Sequence, residues 1–262
     1  MNAIAQNLLV SIGRPLVWAG RTSRALVGTA WHTFALICRG RIAWRTTIEQ
    51  AYVIGNGSVG FITVTLGFLG LISVYQAALQ IQQIVPDFTM LGAAFLSMLL
   101  REFAPTITGL MIATRVGSGI AAELGSMTVT EQVDALRMCN ADPVEYLIVP
   151  RTLACAVMMI MLSVYGAAIA YLCGMVCADV AFGVNHRTFI NLQIVTANDV
   201  LLGLMKAGAY GIAIPVIAGH AGLNASGGSE GVGWATTTAV VNTSFAVIVL
   251  DFLLSGFGYV FL

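Results

Sequence analysis

The chain has 262 residues, of which 58% are hydrophobic and 9% are charged, and its formal net charge is zero. A soluble domain carries about 25% charged residues, so this composition excludes an ordinary soluble protein and predicts an all-α integral membrane protein. The balanced charge gives no indication of a nucleic-acid partner.

The first 47 residues carry six arginines and no acidic residue. Those arginines are Arg14, Arg21, Arg24, Arg39, Arg41 and Arg45. At 100° per residue, Arg14, Arg21 and Arg24 share one side of a helix. The opposite side carries Leu16, Ala19, Leu26, Val27, Ala30 and Phe34. We therefore predict that residues 1–47 form an interfacial amphipathic helix on the cytoplasmic leaflet. A poorly ordered basic tail is the alternative.

Five later stretches are long and apolar enough to cross a bilayer, which takes about 20 residues. They cover residues 50–79, 89–118, 147–177, 200–220 and 237–262. Residues 48–262 are therefore predicted to form one transmembrane domain. The basic N-terminal segment should lie in the cytoplasm by the positive-inside rule, and five spans then place the C-terminus on the outer side of the membrane.

The connections between these spans differ in polarity. Residues 178–199 are too polar to cross a bilayer. Residues 222–233 contain five glycines and are predicted to form a flexible loop. This loop falls on the cytoplasmic side, yet it contains no lysine or arginine, which makes it the weakest point of the predicted topology.

Four charged residues lie more than four residues from either end of a predicted span, and among them Lys206 is the chain's single lysine. The others are Arg101, Glu102 and Asp251. A charge at the bilayer centre costs about 2.5–3.5 kcal/mol on insertion scales, so these side chains should face inward and pair. We predict that Lys206 pairs with Glu102 or Asp251. The set could line a transport cavity or tie the helices together, and the sequence supports both interpretations.

The polar segment after the second span has the pattern of a short amphipathic helix. Thr128 and Glu131 have capping-box spacing, Asp134 and Arg137 can pair at i, i+3, and Asn140 can end the helix. Its apolar stripe contains Val129, Val133 and Leu136. A solvated loop would need neither caps nor a stripe, so we interpret this helix as a docking surface.

The sequence gives little support for a metal site, a nucleotide site or a catalytic nucleophile. The three histidines are far apart and have no metal-ligand spacing. There is no GxxxxGK[ST] motif for nucleotide phosphates, and no serine has a recognisable His/acid set. The five cysteines form no CxxC pair and suit small apolar fillers. A membrane enzyme is therefore not indicated.

Four blocks of the sequence resemble the MlaE/YrbE-type permease family. They are LLREFAP at 99–105, ATRVGSGIAAELGSMTVTEQVDAL at 113–136, NADPVEYLIVPR at 140–151 and GVGWATTTAVVNTSFAVIVLDF at 231–252. The motifs between 113 and 151 are highly specific, whereas the first 45 residues match only in character. Trp234 and Thr238 depart from the pattern, because the family often has arginine there.

The resemblance implies a membrane subunit of an ABC transporter that moves phospholipids with MCE-domain proteins. It implies a homodimer in a bacterial inner membrane, with a lipid pocket at its centre. A separate cytoplasmic ATPase would hold ATP and magnesium, and this chain would hold no cofactor. A periplasmic MCE-domain protein would complete the assembly.

The resemblance also suggests roles for particular residues. The short helix at 129–138 matches the family's coupling helix, which makes Glu131, Gln132, Asp134 and Arg137 candidate ATPase contacts. Arg101, Glu102, Lys206 and Asp251 match a buried charge cluster. Candidate lipid-pocket residues are Tyr75, Ala78, Ile81, Gln82 and Val85.

Two functions follow from these observations. The first is a lipid-translocating ABC permease, in which a partner ATPase moves the coupling helix. The second is an ion-coupled secondary transporter that uses the buried charge cluster. Only the first gives a role to the short helix, whereas the absence of a strong internal repeat weakens the second.

Overall fold

A computed structural model describes residues 24–40, 43–84, 88–190 and 194–261. Throughout these residues the regular structure is helical, and no strand occurs among them. Five of the described helices are long and apolar enough to cross a membrane, which confirms the predicted all-α membrane fold. Arg14, Arg21, Arg41 and Val85 lie outside the described residues.

The helices of the described chain are named here in sequence order. They are α1 (24–38), α2 (Trp44–Ile84), α3 (Leu91–Val129), α4 (Gln132–Met138), α5 (Val144–Phe182), α6 (His186–Phe189), α7 (Ala197–Leu223) and α8 (Gly228–Phe261). The membrane candidates are α2, α3, α5, α7 and α8. Each of them begins or ends beyond the apolar stretch that predicted it.

The prediction of a flexible loop over 222–233 is wrong. Helix α7 continues to Leu223 and α8 begins at Gly228, so residues 224–227 alone connect them. Gly227 and Gly228 adopt φ angles of +95° and +72°, which glycine reaches without steric cost. The rest of the glycine-rich stretch is helical.

Helix α3 is not a uniform α-helix. Residues Leu99–Phe103 and Ala113–Gly117 each form a π-turn. The first π-turn ends two residues before Pro105, which has no N–H to donate and whose ring would clash with the carbonyl of Arg101 in a regular helix. A π-turn relieves that conflict, and such turns are frequent at functional sites. Both π-turns of α3 contain an arginine, Arg101 and Arg115.

Helices α2 and α5 pack side by side and run in the same direction. Gly70 lies against the backbone of Ala170, and Gly166 lies against Leu66. A side chain at either glycine would collide with its neighbour, and small residues of this kind let membrane helices approach closely. Apolar side chains on the outer faces, such as Phe68 and Val157, remain exposed, as expected of surfaces that meet lipid.

Helices α3 and α7 run opposite to α2, α5 and α8, so the bundle has two distinct ends. At the α4 end, Gly125 of α3 lies against Ala225, beside the α7–α8 connection. At the α6 end, Gly92 lies against the backbone of Phe189.

Helix α1 packs on the bundle with a narrower face than predicted. Thr33 and Leu36 are buried, whereas Val27 and Phe34, which belong to the predicted apolar side, are more than half exposed. The Thr29 hydroxyl lies 3.0 Å from His220 Nδ1 of α7. Of the four described residues on that apolar side, Leu26 is partly buried, and Val27, Ala30 and Phe34 are exposed.

Candidate functional site

A buried cluster of charged side chains joins three helices around Lys206. The Lys206 side chain is fully buried, and its Nζ donates to Glu102 of α3 at 2.5 Å and to Ser255 of α8 at 2.7 Å. Asp251 of α8 lies 2.9 Å from the same atom. Lys206 therefore contacts both carboxylates that the sequence offered as partners, and its three donors are all used.

Local backbone features bring these side chains together. The first π-turn of α3 carries Glu102, and the carbonyl oxygen of Leu100 lies where a side chain on Gly203 would stand. Gly203 precedes Lys206 by about one helical turn. Because Gly203 has no side chain, α7 can approach the π-turn closely enough for Lys206 to reach Glu102.

Asp251, like Lys206, contacts several side chains of the cluster. It accepts a hydrogen bond from Tyr210 Oη of α7 at 2.8 Å and another from Thr106 Oγ1 of α3 at 3.0 Å. Sequence reasoning missed Tyr210, Thr106 and Ser255, because uncharged side chains inside apolar spans carry no pattern that distinguishes them. They supply the hydrogen bonds that a carboxylate in a membrane-like interior requires.

Arg101 belongs to the same cluster but points towards the α6 end. Its guanidinium lies 3.7 Å from Asp199 and 3.9 Å from Glu102. Ser97 donates to Asp199 at 3.1 Å. Asp199 was missed because the prediction assigned residues 178–199 to a polar connection.

A sequence signal for Asp199 does exist. Thr196 and Asp199 form a reciprocal capping box at the start of α7, with the spacing expected for that motif. The five ionisable members, Arg101, Glu102, Asp199, Lys206 and Asp251, comprise two cations and three carboxylates. The cluster can hold α3, α7 and α8 together, and its part in transport stays a prediction.

Helix α4 projects its side chains away from the α4 end of the bundle. Val133 is its one buried residue, while Gln132, Asp134 and Arg137 are exposed. Arg137 NH1 donates to Asp134 Oδ1 at 2.9 Å, as the i, i+3 spacing predicted. The helix ends at Met138, and Asn140 follows with φ +56°, as expected for a residue that terminates a helix.

The predicted capping box at the start of α4 is wrong. Thr128 lies inside the last turn of α3 and donates to the carbonyl of Leu124 at 2.8 Å. Glu131 precedes α4 in the left-handed conformation, with φ +62°, and makes no side-chain cap. The hydroxyl of Thr128 is thus used by its own helix, and a sharp turn at Glu131 separates α3 from α4.

A salt bridge ties the two long helices that flank α4. Arg151 of α5 is buried; its NH2 lies 2.7 Å from Glu123 of α3, and its NH1 donates to the carbonyl of Leu147 at 2.7 Å. His32 of α1 lies 3.4 Å from Asp142, in the connection after α4. These contacts fix the base from which α4 projects.

The proposed lipid-pocket residues lie near the α6 end of α2. Tyr75 and Gln82 are exposed, Ile81 is partly buried, and Tyr75 stacks at 5.6 Å against Phe182. Ala78 is fully buried within the chain, so its methyl group cannot face a pocket outside the bundle. The role of this set stays a prediction.

The sequence also singled out Trp234 and Thr238, where the chain departs from the family pattern. Trp234 and Thr238 line a cavity of about 450 Å³ beside His220 and Asn224 at the α4 end. Among the described residues, no group of His, Cys, Asp and Glu side chains could hold a metal ion.

Comparison with known proteins gives a consistent result over nearly the whole chain. The model of the family described as Permease MlaE matches residues 47–257. A probable ABC transporter permease protein, slr1045 of Synechocystis, is 38% identical over 241 residues, which cover 91% of each chain.

Two other relatives come from different lineages. A probable ABC transporter permease protein of Rickettsia bellii is 34% identical, over 84% of this chain and 85% of its own. The chloroplastic protein TRIGALACTOSYLDIACYLGLYCEROL 1 of Arabidopsis thaliana is 31% identical, over 93% of this chain and 69% of its own.

Proposed function

The chain belongs to the MlaE permease family and is an ABC-transporter permease, and we propose that it moves phospholipids, driven by a separate ATPase. The name of the Arabidopsis relative is that of a glycerolipid, which supports a lipid substrate. The sequence contains no GxxxxGK[ST] motif, so ATP and magnesium belong to the partner.

The observation that carries this proposal is the exposure of the polar and charged side chains of helix α4. The helix is anchored by buried Val133 and partly buried Leu136, and it presents Gln132, Asp134, Arg137 and the 85%-exposed Met138 away from the bundle. A short helix with charged and apolar side chains on one free surface suits insertion into a groove of another protein. We assign Glu131, Gln132, Asp134 and Arg137 as contacts with the ATPase.

The route of a movement from α4 into the membrane follows from covalent and ionic connections. Helix α4 is joined to α3 by the turn at Glu131, and Arg151 links α3 to α5 through Glu123. A displacement of α4 would therefore move the α4 ends of α3 and α5 together. Helix α3 carries that displacement to Glu102 and the Lys206 cluster.

The assembly that we propose contains two copies of this chain in a bacterial inner membrane. Helix α8 supports a second copy, since Val241, Phe245, Ile248 and Phe252 form an exposed apolar stripe along it. The N-terminus and α4 face the cytoplasm, and the C-terminus faces the periplasm. Tyr75 and Gln82 would then meet a lipid pocket on the periplasmic side, beside an MCE-domain partner.

An exchange of charges on α4 tests the proposal. Asp134→Arg combined with Arg137→Asp keeps the ion pair within α4 but exchanges the positions of the two charges that a partner protein would contact. We expect the ATPase to be lost on co-purification, because like charges opposed across an interface cost several kcal/mol. The matched control is Arg45→Glu with Glu49→Arg, an exposed pair at the start of α2 with 3.3 Å separation. Retention of the ATPase by the α4 variant would contradict the proposal.

The Lys206 cluster favours a second candidate, an ion-coupled secondary transporter. Its excess of one carboxylate over cations gives a site where a proton or another cation could bind. Transport of labelled lipid by the purified chain in vesicles, driven by a proton gradient without any ATPase, would favour this candidate. Transport that depends on ATP and on the ATPase would exclude it.

A further inference from the structure

An apolar cavity lies between α1 and the bundle, on a side that the proposed function does not use. Its volume is about 560 Å³, within the range of small-molecule sites. Residues of α1, α5 and α7 form most of it, and Leu250 of α8 completes the lining. Buried Thr33, Thr152 and Val216 contribute to its wall, whereas Val27 and Ile212 are exposed and leave it open towards the surrounding bilayer.

The wall of this cavity offers almost no hydrogen-bonding group to a ligand. Its two hydroxyls are already engaged, because Thr33 donates to the carbonyl of Thr29 at 2.8 Å and Thr152 donates to that of Ile148 at 2.9 Å. The remaining lining side chains are Leu, Val, Ala, Phe and Ile. An apolar cavity of this kind stays dry and accepts apolar ligands, so its chemistry fits a hydrocarbon chain.

The helix that covers the cavity is positively charged at both ends. Arg24 and Arg39 flank the stretch of α1 that lines it, residues 26–37, and both are exposed. No acidic residue occurs among residues 1–47. Arginines beside a bilayer attract anionic lipid headgroups, so a lipid whose chain enters the cavity would have its phosphate next to cations.

The polar contacts between α1 and the bundle leave room for such a lipid. Thr29 meets His220 and His32 meets Asp142, while the apolar side of α1 faces the cavity. A chain that fills the cavity would contact α1 on one side and α5 and α7 on the other. It would add the apolar contact that α1 lacks in the isolated chain.

We propose that this cavity holds one acyl chain of an anionic phospholipid from the leaflet at the α4 end, which keeps α1 against the bundle. This lipid is a resident one, separate from any lipid that is transported. The proposal does not rest on the proposed function, and its test requires neither an ATPase nor transport.

Photolabelling in nanodiscs tests the site. The probe is phosphatidylglycerol with a diazirine in its acyl chain, and the full chain is digested and mapped after irradiation. We expect label on peptides containing residues 26–37, 152–156 and 209–217. Ala213→Phe should reduce label there about tenfold by filling the cavity. Ala168→Phe, at an exposed position of α5 outside the cavity, should leave it unchanged.

Two further measurements separate loss of the site from loss of the fold. Label on the α5 peptide that contains the exposed residues Leu172 and Val176 reports bulk lipid, and it should be equal in wild type and Ala213→Phe. Arg24→Gln with Arg39→Gln should remove the preference for phosphatidylglycerol over a phosphatidylcholine probe. Equal cavity label in wild type and Ala213→Phe, or no preference between the two probes in wild type, would overturn the proposal.

Discussion

The Lys206 cluster and helix α4 use opposite charges in two different ways. Lys206 is fully buried and joins Glu102 of α3 to Asp251 of α8, which are far apart in sequence. The pair on α4 joins Asp134 to Arg137 within one helix, and both side chains are more than half exposed. The first arrangement links helices, whereas the second leaves two charges available to a partner.

Burial thus decides whether an ion pair holds helices together or leaves its charges available to another protein. Removing one partner of a buried pair leaves an uncompensated charge and costs about 3–5 kcal/mol. An exposed pair contributes about 0.2–1 kcal/mol, since water and salt screen it. Charges at the Lys206 cluster should therefore determine stability, and charges on α4 should determine association.

Replacing the buried lysine gives the largest expected effect. Lys206→Met keeps a long side chain but leaves Glu102 and Asp251 without their shared cation. We expect the free energy of unfolding to fall by about 3–5 kcal/mol. Unfolding in mixed detergent–SDS micelles, followed by circular dichroism, measures this change.

A variant with the charges removed together controls for the loss of the side chain. Lys206→Met with Glu102→Gln and Asp251→Asn leaves no unpaired carboxylate, so it should recover much of the lost stability. If Lys206→Met alone unfolds like the wild type, the cluster does not tie the helices together.

The charged members that lie inside the predicted spans could be identified from the sequence, because a charge inside an apolar span has few acceptable surroundings, whereas Asp199 lies at the start of α7 and was missed. Lys206, Glu102 and Asp251 had to face inward and pair. Their neighbours could not be predicted, since Ser255 and Tyr210 are found there only through the way α7 and α8 pack. Such packing joins residues that are distant in sequence.

Predictions from short sequence patterns were reliable only where the contact lies within a single helix. The pairing of Asp134 with Arg137 depends on helix periodicity alone, and it was predicted. The capping box of Thr128 was predicted wrongly, because α3 continues to Val129 and uses that hydroxyl internally. Hydropathy identifies only the part of a helix that lies in lipid. The helix itself continues into polar residues, because its backbone hydrogen bonds do not depend on hydropathy.

The salt bridge beside α4 should give an intermediate effect, because only one of its partners is buried. Arg151→Met removes the contact with Glu123, which is 55% exposed, and the hydrogen bond to Leu147. We expect a loss of about 1–3 kcal/mol in the free energy of unfolding. Arg187→Met, at an exposed position on α6, is the matched control and should change it by less than about 0.5 kcal/mol. Equal effects of the two variants would show that burial of Arg151 is unimportant.

The smallest expected effect on stability comes from Asp134→Ala on α4. The variant loses an exposed ion pair of about 0.3–0.5 kcal/mol, and alanine has the higher helix propensity and offsets much of that loss. The free energy of unfolding should therefore stay within about 0.5 kcal/mol of the wild type, measured in the same micelles as the Lys206 variant. A loss as large as that of Lys206→Met would mean that Asp134 supports the fold. It would also remove the distinction between a charge that joins helices and one that is available to a partner.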